Sequence, residues 1–111
     1  MRSTRSVVKD EGQPGHYSDP PLLILASLAT GPKHGHAMLD DIENLCGTRL
    51  GPGTLYGAIA RIEQQGWIEA MRVDDRRRPY RLTAAGRRVL RAKIETLQRF
   101  VRSGFERLKY L

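Results

Sequence analysis

The chain has one cysteine, Cys46, among its 111 residues, which excludes an internal disulfide framework and suits a reducing cytoplasm. It also lacks a run of about 18 apolar residues, the length that a membrane-spanning helix needs. The apolar segment 22–26 is too short and lies too late for a signal peptide. The length allows one domain with a modest core. We therefore expect a cytoplasmic protein.

Residue sets that signal catalysis are missing as well. No Ser/His/Asp or Cys/His group has the local spacing of a nucleophilic site, and no glycine-rich loop could cradle a phosphate. His34 and His36 lie two apart, which can suit a metal on a strand, but no third ligand stands near them. We expect no enzymatic activity, no cofactor and no metal. Cys46 is interpreted as a small buried apolar residue.

A helix is predicted between Leu50 and Trp67, and the rest of the chain is interpreted around it. At about 100° per residue, Leu55, Ile59 and Ile62 share one side. Pro52 fits the first turn and Gly66 is placed to end the helix. Glycine within a helix costs about 1 kcal/mol relative to alanine, so a solvent-side glycine predicts an object that approaches closely, such as a DNA groove. The opposite side carries Gly53, Gly57, Ala60, Arg61 and Gln64.

The segments before this helix complete a helix-turn-helix pattern. Residues 1–18 show no apolar period and are interpreted as a flexible arm. Asp19 can cap a helix that starts with two prolines and is apolar nearly all round up to Gly31-Pro32. A second helix is predicted from near Gly35 to about Cys46. Its inner face is assigned to Met38, Ile42, Leu45 and Cys46.

Positive charge is concentrated in the part of the sequence that follows the glycine-bearing helix. The net charge is +7, and residues 72–81 hold five arginines against two aspartates, whereas residues 20–71 carry more acids than bases. Trp67–Val73 and Pro79–Thr83 read as two strands joined by the arginine-rich turn, the shape of a wing. A basic stripe of this kind suggests a polyanion, although a merely soluble cationic surface explains the charge equally well.

The last segment predicts a long helix capped by Thr83. Residues 84–110 carry a seven-residue repeat, and such a helix extends past what a small domain can cover. It is predicted to pack on its copy in a homodimer rather than fold back on its own core, because an uncovered seam would be a sticky patch. The assigned interface residues are Leu22, Leu25, Leu90, Ile94, Leu97, Val101, Phe105 and Leu108.

Several short strings together resemble the PadR family of bacterial transcriptional regulators, in its short form with a single C-terminal helix. They are Gly31-Pro32 with His34-Gly35, the string Gly51–Tyr56, Gly66–Ile68, and Tyr80–Thr83 followed by Gly86. The likeness covers about residues 20–111. Two positions depart from it: His36 stands where a tyrosine is common, and Gly51 where a serine is common.

The resemblance implies a mainly α-helical protein with a small β-hairpin. Residues 19–83 would form a winged helix-turn-helix domain and residues 84–111 a dimerisation helix. It further implies a dimer that binds palindromic operator DNA, usually as a repressor, in the bacterial cytoplasm and on the nucleoid when bound. Family members often release DNA when a small aromatic or drug-like compound binds. A pocket for it between the long helices would use Ile94, Phe100, Val101 and Trp67, unless these are ordinary interface core.

The residues expected to contact DNA lie on the glycine-bearing helix, in the wing and ahead of the second helix. Arg61 and Gln64 suit base edges, whereas Thr54 and Tyr56 suit phosphate. The alternative is a winged-helix module that binds another protein through the bare helix face, with the acids of 40–43 favouring it. The full predicted set is Lys33, His34, Gly53, Thr54, Tyr56, Gly57, Arg61, Gln64, Arg76, Arg77 and Arg78.

Overall fold

The computed structural model describes residues 19–111, so the predicted arm at 1–18 lies outside the described residues. In this part of the chain four helices form one core and a three-stranded antiparallel sheet lies beside it. Within 19–111 no helix is both long and apolar enough to cross a membrane. The elements are α1 (Pro20–Leu28), β1 (Lys33–His34), α2 (Gly35–Cys46), α3 (Pro52–Gln64), β2 (Ile68–Ala70), β3 (Pro79–Leu82) and α4 (Ala84–Leu108).

Helix α1 lies at the centre of the core, as its nearly all-round apolar sequence predicts. Ile24 and Leu25 have no exposed surface, and α2, α3, α4 and β3 all contact this helix. The Asp19 carboxylate accepts a hydrogen bond from Leu22 N at 3.3 Å, which confirms the predicted cap. The other three helices therefore pack around α1.

The inner face of α2 differs from the predicted one at a single residue. Leu45 is 56% exposed, whereas Leu39 is buried beside Met38 and Ile42. At 100° per residue, the buried side is centred between Met38 and Leu39, which leaves Leu45 on its edge, near the point where the helix ends. The assignment of Leu45 to the core was wrong, and Leu39 is the leucine of α2 that the core contains.

The sheet has one strand more than the two-stranded ribbon that the sequence predicts. Lys33–His34 pairs with β3, so the strand order is β1-β3-β2, and His34 stands opposite Pro79. The strands of the wing are also shorter than predicted, at Ile68–Ala70 and Pro79–Leu82. Two residues are too few to show the alternation of apolar and polar side chains that predicts a strand, so the sequence does not predict β1.

A joint of four residues, Gly66, Trp67, Thr83 and Gly86, ties the end of α3 to the start of α4. Gly66 has φ +81° and, with Trp67, closes a Schellman motif whose two amides bond to the carbonyls of Glu63 and Ile62. The Thr83 hydroxyl accepts from Gly86 N at 3.0 Å and donates to Gly66 O at 2.6 Å. A Cβ at Gly86 would overlap the Trp67 carbonyl. The close approach of the two chain segments therefore requires glycine.

We predict that Gly86→Ala lowers the free energy of unfolding by at least about 2 kcal/mol, because the new methyl group would push the backbone of Trp67 away from α4. Gly57→Ala is the matched control, since a Cβ there would meet only Arg61 Nη1, at 3.8 Å. It should stabilise the protein by up to about 1 kcal/mol. Urea unfolding at one fixed chain concentration measures both. Equal effects of the two substitutions would contradict the proposed packing of the joint.

Candidate nucleic-acid interface

The outer face of α3 is exposed along its whole length. Leu55, Ala58, Ile59 and Ile62 are buried and anchor the opposite face in the core. Pro52 occupies the first turn, and the preceding Gly51 provides no side-chain cap. The exposed residues of this helix are Pro52, Gly53, Thr54, Tyr56, Gly57, Ala60, Arg61, Glu63 and Gln64.

No contact inside the described protein requires the two glycines of this face. A Cβ at Gly53 would meet nothing within 4 Å, and one at Gly57 only the flexible end of Arg61. Neither has a positive φ. Gly57 nevertheless lies in the second turn of the helix, inside its ends, where glycine is destabilising relative to alanine. These two glycines form what we call the glycine strip of α3, and the packing of the described residues does not require either of them.

The wing ends in a tight turn of residues 74–77. Asp74 and Arg77 exchange backbone hydrogen bonds of 2.7 and 2.9 Å, and Asp75 and Arg76 between them have φ of 51° and 66°. Positive φ at both central positions is what a type I′ hairpin turn requires; aspartate tolerates it, whereas an arginine adopts it only with strain. The fixed turn holds three consecutive arginine side chains outside the sheet.

The three arginines of the turn differ in what they contact. Arg77 Nη1 lies 3.1 Å from His34 Nε2, and Arg78 Nη1 donates to Met71 O at 3.1 Å. Because β1 pairs with β3, His34 stands beside the wing although it is 43 residues from Arg77 in the sequence. The wing is thus attached to the start of α2 as well as to β2.

A cleft of about 440 Å³ separates the wing from α2 and α3. The Tyr56 ring forms one wall and lies directly over Gly35, where a Cβ would overlap it. Burial raises the pKa of the Tyr80 phenol, and the negative charge of Glu63 raises it further, so this hydroxyl keeps its proton. No residue that lines the cleft is acidic: His34, Gly35, His36, Tyr56, Arg76, Arg77, Arg78 and Tyr80.

Lys33, predicted to contact the DNA backbone, has its ammonium turned into the protein. It donates to Ser27 O, to Thr30 Oγ1 at 2.7 Å and to Gly31 O at 3.4 Å, and it lies 3.9 Å from the Asp41 carboxylate. All three ammonium protons therefore have acceptors at the end of α1. This geometry supports a structural role for Lys33, whose ammonium satisfies acceptors at the C-terminal end of α1.

The acids of α2 are also paired. Arg49 Nη1 lies 2.8 Å from Asp40 Oδ1 and 3.1 Å from Glu43 Oε1, and the hydrogen bond from Arg49 lowers the pKa of Asp40. Ser27 donates to the Asp41 carboxylate at 2.7 Å. The negative charge of this helix is therefore largely balanced by the chain itself.

The predicted interface residues fall into two groups in the structure. Leu22, Leu25 and Leu90 are buried in the core of the chain itself, and Leu97 is half-buried against that core. On the C-terminal half of α4, Val101 is 51% and Phe105 67% exposed, and Leu108 and the earlier Ile94 are exposed as well. Only this second group offers side chains to another molecule.

Comparison with known proteins identifies the family. The model of the transcriptional regulator PadR-like family matches residues 24–92. The chain belongs to the PadR-like family. The resemblance found in its short strings is therefore confirmed, and so is the winged-helix architecture.

Relatives of this PadR-like chain include one curated protein and several solved structures. An uncharacterized 37.1 kDa protein in transposon TN4556 of Streptomyces fradiae is 42% identical over 89 residues, which are 80% of this chain and 26% of that protein. The chain thus spans about a quarter of that relative's length. A transcriptional regulator from Clostridium thermocellum superposes with a TM-score of 0.68 at 26% identity, covering 75% of this chain and 86% of that one.

A PadR family regulator from Clostridium difficile R20291 shares the fold of this PadR-like chain. Its TM-score is 0.69 at 22% identity, with 80% of this chain and 96% of that chain covered. PadR-family proteins are transcriptional regulators, so the exposed α3 face and the wing are the surface to consider for DNA.

Sequence reasoning did not single out Gly35 and Tyr80 as parts of this surface. Both reach the cleft through long-range packing: Tyr80 pairs with Lys33 across the sheet, and Gly35 lies under Tyr56. The only local signal for Gly35 is the His-Gly string that also supports the family resemblance. Nothing local signals Tyr80 as part of a cleft.

The internal position of the Lys33 ammonium leads to a test. We predict that Lys33→Met lowers the free energy of unfolding by about 1–2 kcal/mol, because it leaves acceptors at the end of α1 unpaired. Duplex binding should change less than about twofold, since no phosphate contact is lost. Arg61→Met is the matched control and should weaken duplex binding while stability stays within about 0.5 kcal/mol. A large loss of binding in Lys33→Met with unchanged stability would return Lys33 to the interface.

Proposed function

We propose that this PadR-like regulator is a homodimeric repressor that binds palindromic operator DNA with α3 in the major groove. The observation that carries the proposal is the glycine strip of α3, which the protein's own packing does not require. A helix without side chains along one strip can lie closer to base edges than an alanine-bearing helix can. A repressor of this kind acts by occupying the operator.

The contacts on DNA follow from where each side chain lies on α3. Arg61 and Gln64 are exposed beyond the glycines and have the donors that read base edges. Thr54 and Tyr56 are exposed near the N-terminal end and suit phosphate oxygens. The turn arginines 76–78 extend the basic surface toward the flanking backbone or minor groove.

The dimer is supported by the C-terminal half of α4. This helix has 25 residues and is about 37 Å long, and its last turns leave Val101, Phe105 and Leu108 exposed on one side. A second copy would cover that side by an isologous contact. Two α3 helices related by a two-fold axis require half-sites about one helical turn apart, or a multiple of it.

Release by a small aromatic effector remains a prediction. Within one chain, Trp67 contacts the start of α4 at Gly86, about 21 Å along the helix from Phe100, so a pocket that uses both residues would have to form between two copies. A cleft of about 730 Å³ between the end of α1, β3 and α4 is a second candidate. Leu28, Leu82 and Leu90 form its apolar wall, and Arg87 and Arg91 lie at its edge.

The feature that favoured the protein-docking alternative is weaker in the structure. It drew on the three acids of α2, and two cations of the chain itself contact them: Arg49 lies beside Asp40 and Glu43, and Lys33 beside Asp41. DNA binding is therefore the function that the described surface supports best.

The glycine strip predicts a separation of stability from DNA affinity. Gly57→Ala should weaken binding to an operator duplex by about tenfold or more, because the added methyl group would hold α3 away from the groove. The salt dependence of binding should not change, since no charge is removed. Fluorescence anisotropy at several salt concentrations measures both quantities. The stability gain of the same variant excludes misfolding as the cause, and unchanged affinity would count against a groove contact at this strip.

The exposed seam of α4 predicts the oligomeric state. Val101→Glu should convert the dimer to a monomer, because it would bury two carboxylates at the contact. Ser103→Glu adds the same charge about 160° away around the helix and should leave the dimer intact. Sedimentation velocity over a range of chain concentrations distinguishes the two. A wild-type chain that sediments as a monomer throughout, or a Val101→Glu variant that stays dimeric, would contradict the assignment.

A further inference from the structure

The imidazole of His34 is contacted by two hydrogen-bond donors. Its Nδ1 lies 3.3 Å from the backbone amide of Ala37, in the first turn of α2, and its Nε2 lies 3.1 Å from Nη1 of Arg77. An arginine nitrogen and a backbone N–H can only donate. A neutral imidazole has one nitrogen that accepts and one that donates, and a doubly protonated one accepts nothing. The ring can therefore satisfy only one of these two contacts.

The contact at Ala37 is the one that the fold needs. Its amide is a partly buried donor at a helix start, and His34 Nδ1 is the acceptor that caps it. The contact at Arg77 is exposed, so water can serve the guanidinium there. With Nδ1 as acceptor, Nε2 carries the proton. The neutral Nε2–H and the cationic Nη1–H are then neighbouring donors, with 3.1 Å between the two nitrogens, and neither can accept a hydrogen bond from the other.

Two neighbouring donors that cannot bond to each other both need an acceptor from outside the pair, and an oxyanion can provide it. An oxygen with negative charge can accept from both at once, and such charge-assisted bonds are stronger than neutral ones. The cleft beside the pair has room for a phosphate group at about 440 Å³, and no carboxylate lines it. Arg76 and Arg78 add positive charge, whereas Asp74 and Asp75 belong to the turn itself and are not among the lining residues.

We propose that His34 Nε2–H and the Arg77 guanidinium together bind one phosphate group of the DNA backbone. The inference rests on the proposed function, and it assigns this residue pair a shared ligand. A backbone phosphodiester is favoured over a free phosphate ion because the same cleft is lined by Tyr56 of α3, so its opening is continuous with the face proposed to enter the groove. A helix in the major groove has the sugar-phosphate backbone along its flanks.

The sharing of one phosphate predicts coupled effects on duplex affinity. His34→Asn keeps a capping acceptor but removes the Nε2–H, and Arg77→Gln removes the cation. Each single substitution should weaken binding about fivefold or more, and His34→Asn should cost less than about twofold once Arg77 is already Gln. Arg77→Gln should also lower the slope of log affinity against log salt by about 0.9. Arg76→Gln is the matched control: its effect should multiply with that of His34→Asn.

A second measurement reports on the ring itself. Long-range ¹H–¹⁵N spectra at about pH 8, above the ordinary titration range of histidine, distinguish the two tautomers. In the complex of wild-type protein with an operator duplex, His34 should have a bare Nδ1 and a protonated Nε2 whose proton exchanges slowly with water. Inorganic phosphate alone should leave that proton in fast exchange at concentrations where the duplex protects it.

The outcomes separate this inference from the function on which it rests. Duplex binding in which His34→Asn and Arg77→Gln simply multiply would overturn the shared phosphate and leave the DNA-binding proposal standing. The other tautomer, protonated at Nδ1, would also overturn it. Protection of the ring proton by inorganic phosphate, with duplex affinity unaffected by His34→Asn, would assign the pair to a free anion. A wild-type chain that binds no duplex in dilute buffer would end both proposals.

Discussion

The fold depends on the joint between the end of α3 and the start of α4. There the Schellman motif at Gly66, the hydroxyl of Thr83 and the close contact of Gly86 with the Trp67 backbone satisfy both helix ends with each other. Burying helix termini without such partners would leave polar groups unpaired. Because one hydroxyl serves both termini, the helix proposed for DNA and the helix proposed for the dimer have a fixed relative direction. The direction of α4 therefore sets where a partner's α3 would lie.

The unusual backbone conformation of the wing lies in its turn, next to the contact between Arg77 and His34. Asp75 and Arg76 adopt positive φ in a turn that asparagine and glycine would form more easily. Placing arginines there costs conformational energy but carries positive charge to the edge of the cleft, and the turn holds Arg77 against His34. Backbone strain of this type persists when the surrounding structure fixes it. Here the last residue of the turn, Arg77, contacts His34 of β1, which lies outside the hairpin.

The features that could be predicted from the sequence are those with local causes. Asp19 and Thr83 cap helices through residues three positions away, and the buried side of α3 follows its own periodicity. Features decided by packing at a distance could not be predicted. The two-residue strand β1 exists because β3 lies beside it, and Lys33 turns inward because Ser27 and Thr30 offer acceptors. The burial of Leu22, Leu25 and Leu90 in their own chain has the same origin: an apolar residue looks alike in a core and in an interface.

The same limit explains why the glycines of α3 carry more functional information than its charged residues. Arginine is an ordinary residue of solvent-exposed surfaces and needs no partner there, so Arg61 alone predicts little about function. An exposed glycine within a helix raises the free energy of the folded state, and at Gly57 the described structure offers no internal contact in compensation. A residue that destabilises its own element without an internal cause is best explained by an external one. The surface proposed to approach DNA is therefore marked by two positions that have no side chain, Gly53 and Gly57, and the His34–Arg77 pair lines the cleft beside it.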